Sequence, residues 1–219
     1  MVSALARRRP WRRRLGIRLA HLMRWVHIYL SMFGLASILF FSVTGLTLNH
    51  PTWFGSKARR TTEAEGRVDP KWLRLESPGP GSGSDPSSRV DKLQVVEHLR
   101  NTHGVRGALA EFRVDESECT VTFRGPGYSA DSFVDRETGR YTLTQTSQGF
   151  VAVINDLHKG RDTGPAWSAL IDVSAVAMAA ISLTGLVLLL YLKLRRGPGL
   201  VVALLGAVAV AAVFLLGVP

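Results

Sequence analysis

Three long stretches of the chain carry no charged side chain: Ile28–Asn49, Val173–Leu192 and Leu200–Pro219. A helix rises about 1.5 Å per residue, so roughly 20 apolar residues cross the ~30 Å hydrocarbon layer of a bilayer. Each stretch therefore predicts a transmembrane helix. Aromatic residues that favour the membrane–water interface stand near their ends: Trp25, Tyr29 and Trp53 for the first, Trp167 and Tyr191 for the second.

Between the first two spans the pattern is that of a small water-exposed domain. Ser77–Ser88 is built almost wholly of Pro, Gly and Ser and predicts a flexible linker. Ser88 and Asp91 suit the N-cap and N3 positions of a helix carrying Val90, Leu93, Val96 and Leu99, with Gly104 as its stop. Phe112–Val114 and Thr120–Phe123 predict strands around the acidic turn Asp115–Glu118. Asp131–Asp135 and Arg140–Thr144 predict a hairpin across Arg136-Glu-Thr-Gly139. One helix on a small antiparallel sheet follows. Ser147 then caps a short helix with Phe150, Ile154 and Leu157 on one face and Gly160 as its end.

The chain thus divides into a basic N-terminal segment (1–24), a first transmembrane helix (25–49), a segment ending in the linker (50–88), an α+β domain (89–146), an interfacial helix and turn (147–164), a second transmembrane helix (165–192), a turn (193–199) and a third transmembrane helix (200–219).

Charge decides the orientation. The chain has 27 basic and 17 acidic side chains, a formal net charge of +10 that by itself suggests a nucleic-acid partner. The region from Pro51 to Pro165 is balanced, however. The excess lies in Arg7, Arg8, Arg9, Arg12, Arg13, Arg14, Arg18 and Arg24 and in Lys193, Arg195 and Arg196, beside the apolar spans. That placement excludes a nucleic-acid groove and points to a bilayer. By the positive-inside rule the N-terminus and the short second turn are cytoplasmic, and residues 50–164 and the C-terminus lie outside. The first span is long for a signal peptide, and Thr47–Pro51 has no small-x-small cleavage site, so an uncleaved anchor is expected.

The chemistry available is narrow. Cys119 is the single cysteine, which excludes an intramolecular disulfide, a CxxC pair, c-type haem attachment and an iron–sulfur cluster. No HExxH, GxSxG, phosphate-loop or dinucleotide-binding pattern occurs. What does occur is an internal echo: Ser42-Val-Thr-Gly-Leu46 in the first span and Ser182-Leu-Thr-Gly-Leu186 in the second. Because those helices run in opposite directions, the motifs fall near opposite faces of the membrane. At 100° per residue His27, Gly34 and Gly45 share one face of the first helix, extended by Ser31 and Ile38; Ser174, Met178 and Gly185 share one face of the second. Such small faces leave room for a flat ligand between helices, and they suit close helix packing equally well.

Six histidines remain to be placed. His98 and His103 on the soluble helix are expected to face solvent, and His21 to lie among interfacial arginines. His27 starts a membrane span, where a polar group calls for a partner or a function. His50 follows the first span, and Pro51 turns it out of the helix. His158 lies on the apolar face of the short helix, aimed at the bundle or snorkelling to headgroups. Imidazoles at helix ends make b-type haem the leading cofactor expectation.

These residues carry a resemblance. His21-Leu-Met-Arg-Trp-Val-His27 leading to Ser42–His50, and Leu157-His-Lys-Gly-Arg-Asp-Thr-Gly-Pro-Ala-Trp167 leading to Ser182–Leu186, resemble the membrane helices of PepSY-associated transmembrane proteins. Phe133-Val-Asp-Arg-Glu-Thr-Gly139 is similar to the strand–turn of a PepSY domain. The resemblance implies an α-helical membrane protein of the bacterial inner membrane, with three transmembrane helices and a small periplasmic α+β PepSY-like domain inserted between helices 1 and 2. It implies histidine-held haem through His27, His50 and His158, with one iron ligated by His50 and His158; the small helix faces bearing Gly34, Gly45 and Gly185 would then form its slot. It further implies electron transfer to a periplasmic ferric-chelate or flavin acceptor, or through a redox partner protein. The alternative is a non-enzymatic module that binds or restrains a partner protein. Ala203, Ala207 and Ala211 form a small-residue stripe through which the third helix could join an oligomer.

Overall fold

The computed structural model describes residues 10–50, 52–53, 59–74 and 90–219. Arg7, Arg8 and Arg9, the linker Ser77–Ser88 and the cap proposed for Ser88 lie outside the described residues.

Among the described residues three helices are long and apolar enough to cross a membrane: α1 (Pro10–Asn49), and two later ones, α4 (Pro165–Tyr191) and α5 (Arg196–Gly217). α1 is already helical through the arginine-rich stretch that precedes its apolar run, because arginine is a good helix former. It stops at Asn49, one residue short of the position preceding Pro51, where helical geometry is disfavoured. The amide of His50 still donates to the Leu46 carbonyl at 3.0 Å. α5 starts at Arg196, so the connection is shorter than 193–199; the Arg196 amide donates to Leu192 at 2.8 Å.

Between α1 and α4 the chain builds a five-stranded antiparallel sheet of β1 (Arg60–Arg67), β2 (Ala108–Val114), β3 (Glu118–Gly125), β4 (Tyr128–Asp135) and β5 (Arg140–Ser147), in spatial order β1-β5-β4-β3-β2. The expected strands and hairpin are present, each longer than its apolar centre. β1 was not expected. Its sequence Arg-Thr-Thr-Glu-Ala-Glu-Gly-Arg puts only Ala64 and Gly66 opposite the core residues Leu143 and Tyr141, too little to register as hydrophobic alternation.

α2 (Lys92–His103) covers one face of the sheet. Its Val95, Val96 and Leu99 pack with Val121, Phe123, Ala130, Val134, Tyr141 and Leu143 in the buried core. The helix is capped by Asp91, which accepts from the Gln94 amide at 3.2 Å, so Asp91 is the N-cap and not the third residue of a box. It ends as expected at Gly104, whose φ of 62° favours glycine. The opposite face is polar, crossed by an ion pair between Arg124 and Asp131 at 3.0 Å, with Phe133 48% exposed. Cys119 is fully buried, which raises its thiol pKa. Asp135 holds the β4–β5 turn, accepting from the Thr138 amide and hydroxyl; those bonds lower its carboxyl pKa.

α3 (Phe150–Lys159) is joined to the sheet at the β3–β4 turn. The Gly127 amide donates to Asp156 at 2.9 Å, and a Cβ on Gly127 would come within 2.5 Å of Val153. Gly149 is the N-cap and makes no side-chain cap bond; Ser147 belongs to β5. The cap expected at Ser147 is therefore displaced, because strand pairing to Tyr128 extends through that residue.

Candidate functional site

The block from Leu157 to Trp167 closes α3 and opens α4 through specific bonds. Gly160 takes the left-handed conformation at φ 68°, and the Arg161 amide returns to the Asp156 carbonyl at 3.0 Å. The Thr163 hydroxyl donates to Gly160 and the Trp167 indole N–H donates to Leu157 at 2.8 Å, satisfying carbonyls that the helix end leaves open. Trp167 also meets Phe40 edge to face at 5.8 Å.

This closure places His158 on the end of α1. Its Nδ1 lies 2.7 Å from the Thr44 hydroxyl, and its ring meets Phe41 edge to face at 5.4 Å. Cε1 stands 3.5 Å from where a Cβ on Gly45 would be. One turn along α3, Asn155 accepts from the Thr47 hydroxyl at 3.0 Å. Thr44 and Thr47 are buried, at 2% and 4% exposure, so these are paired polar groups in an apolar setting.

A second histidine repeats the arrangement on a different pair of helices. His27 on α1 sets its Nδ1 2.9 Å from the Thr184 hydroxyl and 3.1 Å from the Ile181 carbonyl of α4. Its Cε1 is 3.3 Å from the position of a Cβ on Gly185. The two halves of the internal echo thus do the same work. In each, the threonine meets an imidazole Nδ1 and the following glycine lets the ring lie on the helix. Glycine suits these seats for want of a side chain, since neither has a positive φ.

The other expected residues fall as follows. Gly34 faces Ile181, whose Cδ1 is 3.4 Å from its Cβ position, and Ser174 donates to Ser37 at 3.1 Å. The space beside Gly34, Gly45 and Gly185 is thus taken by a side chain in each case. His50 stacks flat on Trp53 at 3.8 Å, and the Asn49 amide approaches its Nε2 at 3.4 Å. Among the described residues, no hydrogen bond or ring contact joins His50 to His158. His21 is exposed. His98 and His103, expected in solvent, are half-buried instead, since both turn toward the buried hydroxyl of Tyr141, at 3.4 and 2.8 Å. Among the described residues, no three His, Cys, Asp or Glu side chains gather as a multidentate metal site.

Thr44 and Thr184 are the functional candidates that sequence reasoning missed. Their motif was visible as an echo, but its partners lie more than a hundred residues away in the chain.

A sheet domain set between the first and second of three membrane-length helices, with imidazoles seated on those helices, defines a multi-pass membrane protein with an α+β insertion. The chain matches the family described as "Putative PepSY_TM-like" over residues 19–219 and belongs to it. No curated protein and no solved structure matches the chain.

Proposed function

We propose that the protein is a b-type haem electron carrier of the bacterial inner membrane, with His158 as the ligand the chain supplies. The observation that carries this reading is the mode of attachment of the ring. Every hydrogen bond that His158 makes among the described residues runs through Nδ1, which leaves Nε2 for a metal. Ligating histidines are characteristically held in this way, through their other ring nitrogen. The donor set therefore fits a histidine that would hold the iron, and haem would supply one-electron exchange there. Thr44 and Phe41 orient the imidazole. The glycine seats are filled by the rings, so the group would lie beyond Nε2 and not in the glycine stripe. His27, held the same way, is the candidate for a second iron. An acceptor on the sheet-domain side, a ferric chelate or a flavin, remains part of the proposal.

Protein expressed under haem-replete conditions should show a Soret band, and His158→Ala should abolish or greatly reduce it while membrane insertion persists. His50→Ala separates one histidine ligand from two: a retained spectrum would leave His158 as the only ligand the chain supplies at that iron. His21→Ala is the control, because His98 packs against Trp72 and Tyr141 and is not a neutral site. Wild-type protein without a Soret band would sink the reading.

That outcome would favour the second reading, a membrane-anchored module that binds a partner protein. Its support is the sheet face turned away from α2, where Phe133 is exposed in an open depression of about 640 Å3 bordered by Glu65, Arg67, Asp135 and Arg140.

The proposed orientation puts the sheet domain in the periplasm and the N-terminus in the cytoplasm, because the charge excess flanks the spans on one side. Protease added to spheroplasts should remove the sheet domain and spare an N-terminal tag. A tag that is digested first would reverse the orientation.

A further inference from the structure

We infer that the Thr44 hydroxyl fixes His158, and the Ile181 carbonyl together with the Thr184 hydroxyl fixes His27, as Nδ1–H tautomers, so that each presents the Nε2 lone pair as its only acceptor or ligand atom. A neutral imidazole carries its proton on one nitrogen or the other, and the partner of each nitrogen decides which. Thr44 has a single hydroxyl proton. It is directed at the Phe40 carbonyl of the preceding turn, 2.7 Å away, so toward the ring Oγ1 can only accept. Nδ1 of His158, 2.7 Å from that oxygen, must then be the donor.

For His27 the assignment is stronger. Its Nδ1 lies 3.1 Å from the Ile181 carbonyl, which can accept and never donate. The Thr184 hydroxyl, 2.9 Å from the same nitrogen, is turned back to the carbonyls of Ala180 and Ile181 at 2.8 and 2.9 Å. Both oxygens around Nδ1 are therefore acceptors. The glycine after each threonine leaves room for the ring: a Cβ at 185 would be tight against His27 Cε1 at 3.3 Å, and one at 45 would touch His158 Cε1 at 3.5 Å, so that a side chain longer than alanine there would crowd it. The echo is thus a repeated fitting for an imidazole of one defined tautomer.

As a statement about ligation this rests on the haem reading; as a statement about tautomers it does not. The two are separated by measuring haem-free protein. Histidine labelled with 15N in detergent-solubilised full chain, observed near pH 8 where an ordinary imidazole is neutral (reference pKa about 6.5), should show for His158 and His27 a protonated Nδ1 and an unprotonated Nε2. Resonances are assigned with His158→Gln and His27→Gln. Thr44→Val keeps the shape and removes the acceptor, and should release His158 to a mixture with the Nε2–H form; Thr44→Ser should restore the original pattern. Thr184→Val should leave His27 on Nδ1–H, because the Ile181 carbonyl still accepts. An Nε2–H pattern for either ring in the wild type overturns the inference, as does a Thr44→Val protein whose His158 tautomer is unchanged. A missing Soret band would remove the haem reading without touching these shifts. Conversely, a Soret band alongside the wrong tautomer would leave haem in place and remove the role of the threonines.

Discussion

Gly66→Ala should destabilise the sheet domain by overpacking its core. A Cβ at this position would stand 2.3 Å from the hydroxyl oxygen of Tyr141 and 2.5 Å from its Cζ. Tyr141 cannot swing aside cheaply. It is 3% exposed, it is paired opposite Gly66 across β1 and β5, and its hydroxyl is held by His103 at 2.8 Å. Relief requires moving β1 away from β5 or lifting α2 from the sheet. Overpacking of this kind costs about 1–3 kcal/mol, and the lost Tyr141 bond adds about 1 more. Thermal or denaturant unfolding of the full chain in detergent, followed by sheet-domain fluorescence, reads the effect. An unchanged midpoint would mean that β1 does not pack here as described. Tyr141→Phe combined with Gly66→Ala should recover part of the loss, since the atom closest to the new methyl is gone.

Gly45→Leu should expel the His158 ring from its seat, while Gly45→Ala should be tolerated. The alanine methyl would meet Cε1 at 3.5 Å, an ordinary van der Waals distance. The leucine side chain would fill the space the ring occupies and break the bond to Thr44, leaving the hydroxyl of that buried residue without its ring partner. The cost is on the order of 1–3 kcal/mol for the forced repacking. Unfolding of the chain in detergent reports the stability, and the 15N shifts of His158 report the ring. If haem is bound, its Soret band should fall for Gly45→Leu and persist for Gly45→Ala. Equal behaviour of the two variants would show that the ring is not seated on this glycine. The counterpart Gly185→Ala is tighter, at 3.3 Å from His27 Cε1, and should need a small shift of that ring.

Much of the architecture was legible in the pattern of residues. The three uncharged runs each became a helix of membrane length, because the physics involved is local: a run of apolar side chains that satisfies its own backbone hydrogen bonds needs no distant partner. The β4–β5 hairpin was legible for a similar reason. Asp135 and Gly139 make the turn with their own neighbours, Asp135 through the Thr138 amide and Gly139 through a φ of 70°. The end of α2 at Gly104 and of α3 at Gly160 likewise follow from the left-handed conformation that glycine takes at little cost.

Other features could be decided only in three dimensions. β1 has almost no apolar alternation, and it is a strand because β5 offers a complete ladder of partners from Arg140 to Ser147. His98 and His103 look like solvent-facing residues of a polar helix. They are drawn inward because the buried hydroxyl of Tyr141, on a strand nearly forty residues later, needs hydrogen-bond partners. The candidate site divides along the same line. Its residue types and its echo were present in the sequence, with His158 and His27 as polar groups near apolar spans. Which threonine each ring would meet, and therefore which nitrogen keeps its proton, depended on tertiary contacts: α3 against the end of α1 for His158, and α1 against α4 for His27. A hydrogen bond reads distance and direction in space, and the one-dimensional pattern carries neither between residues so far apart.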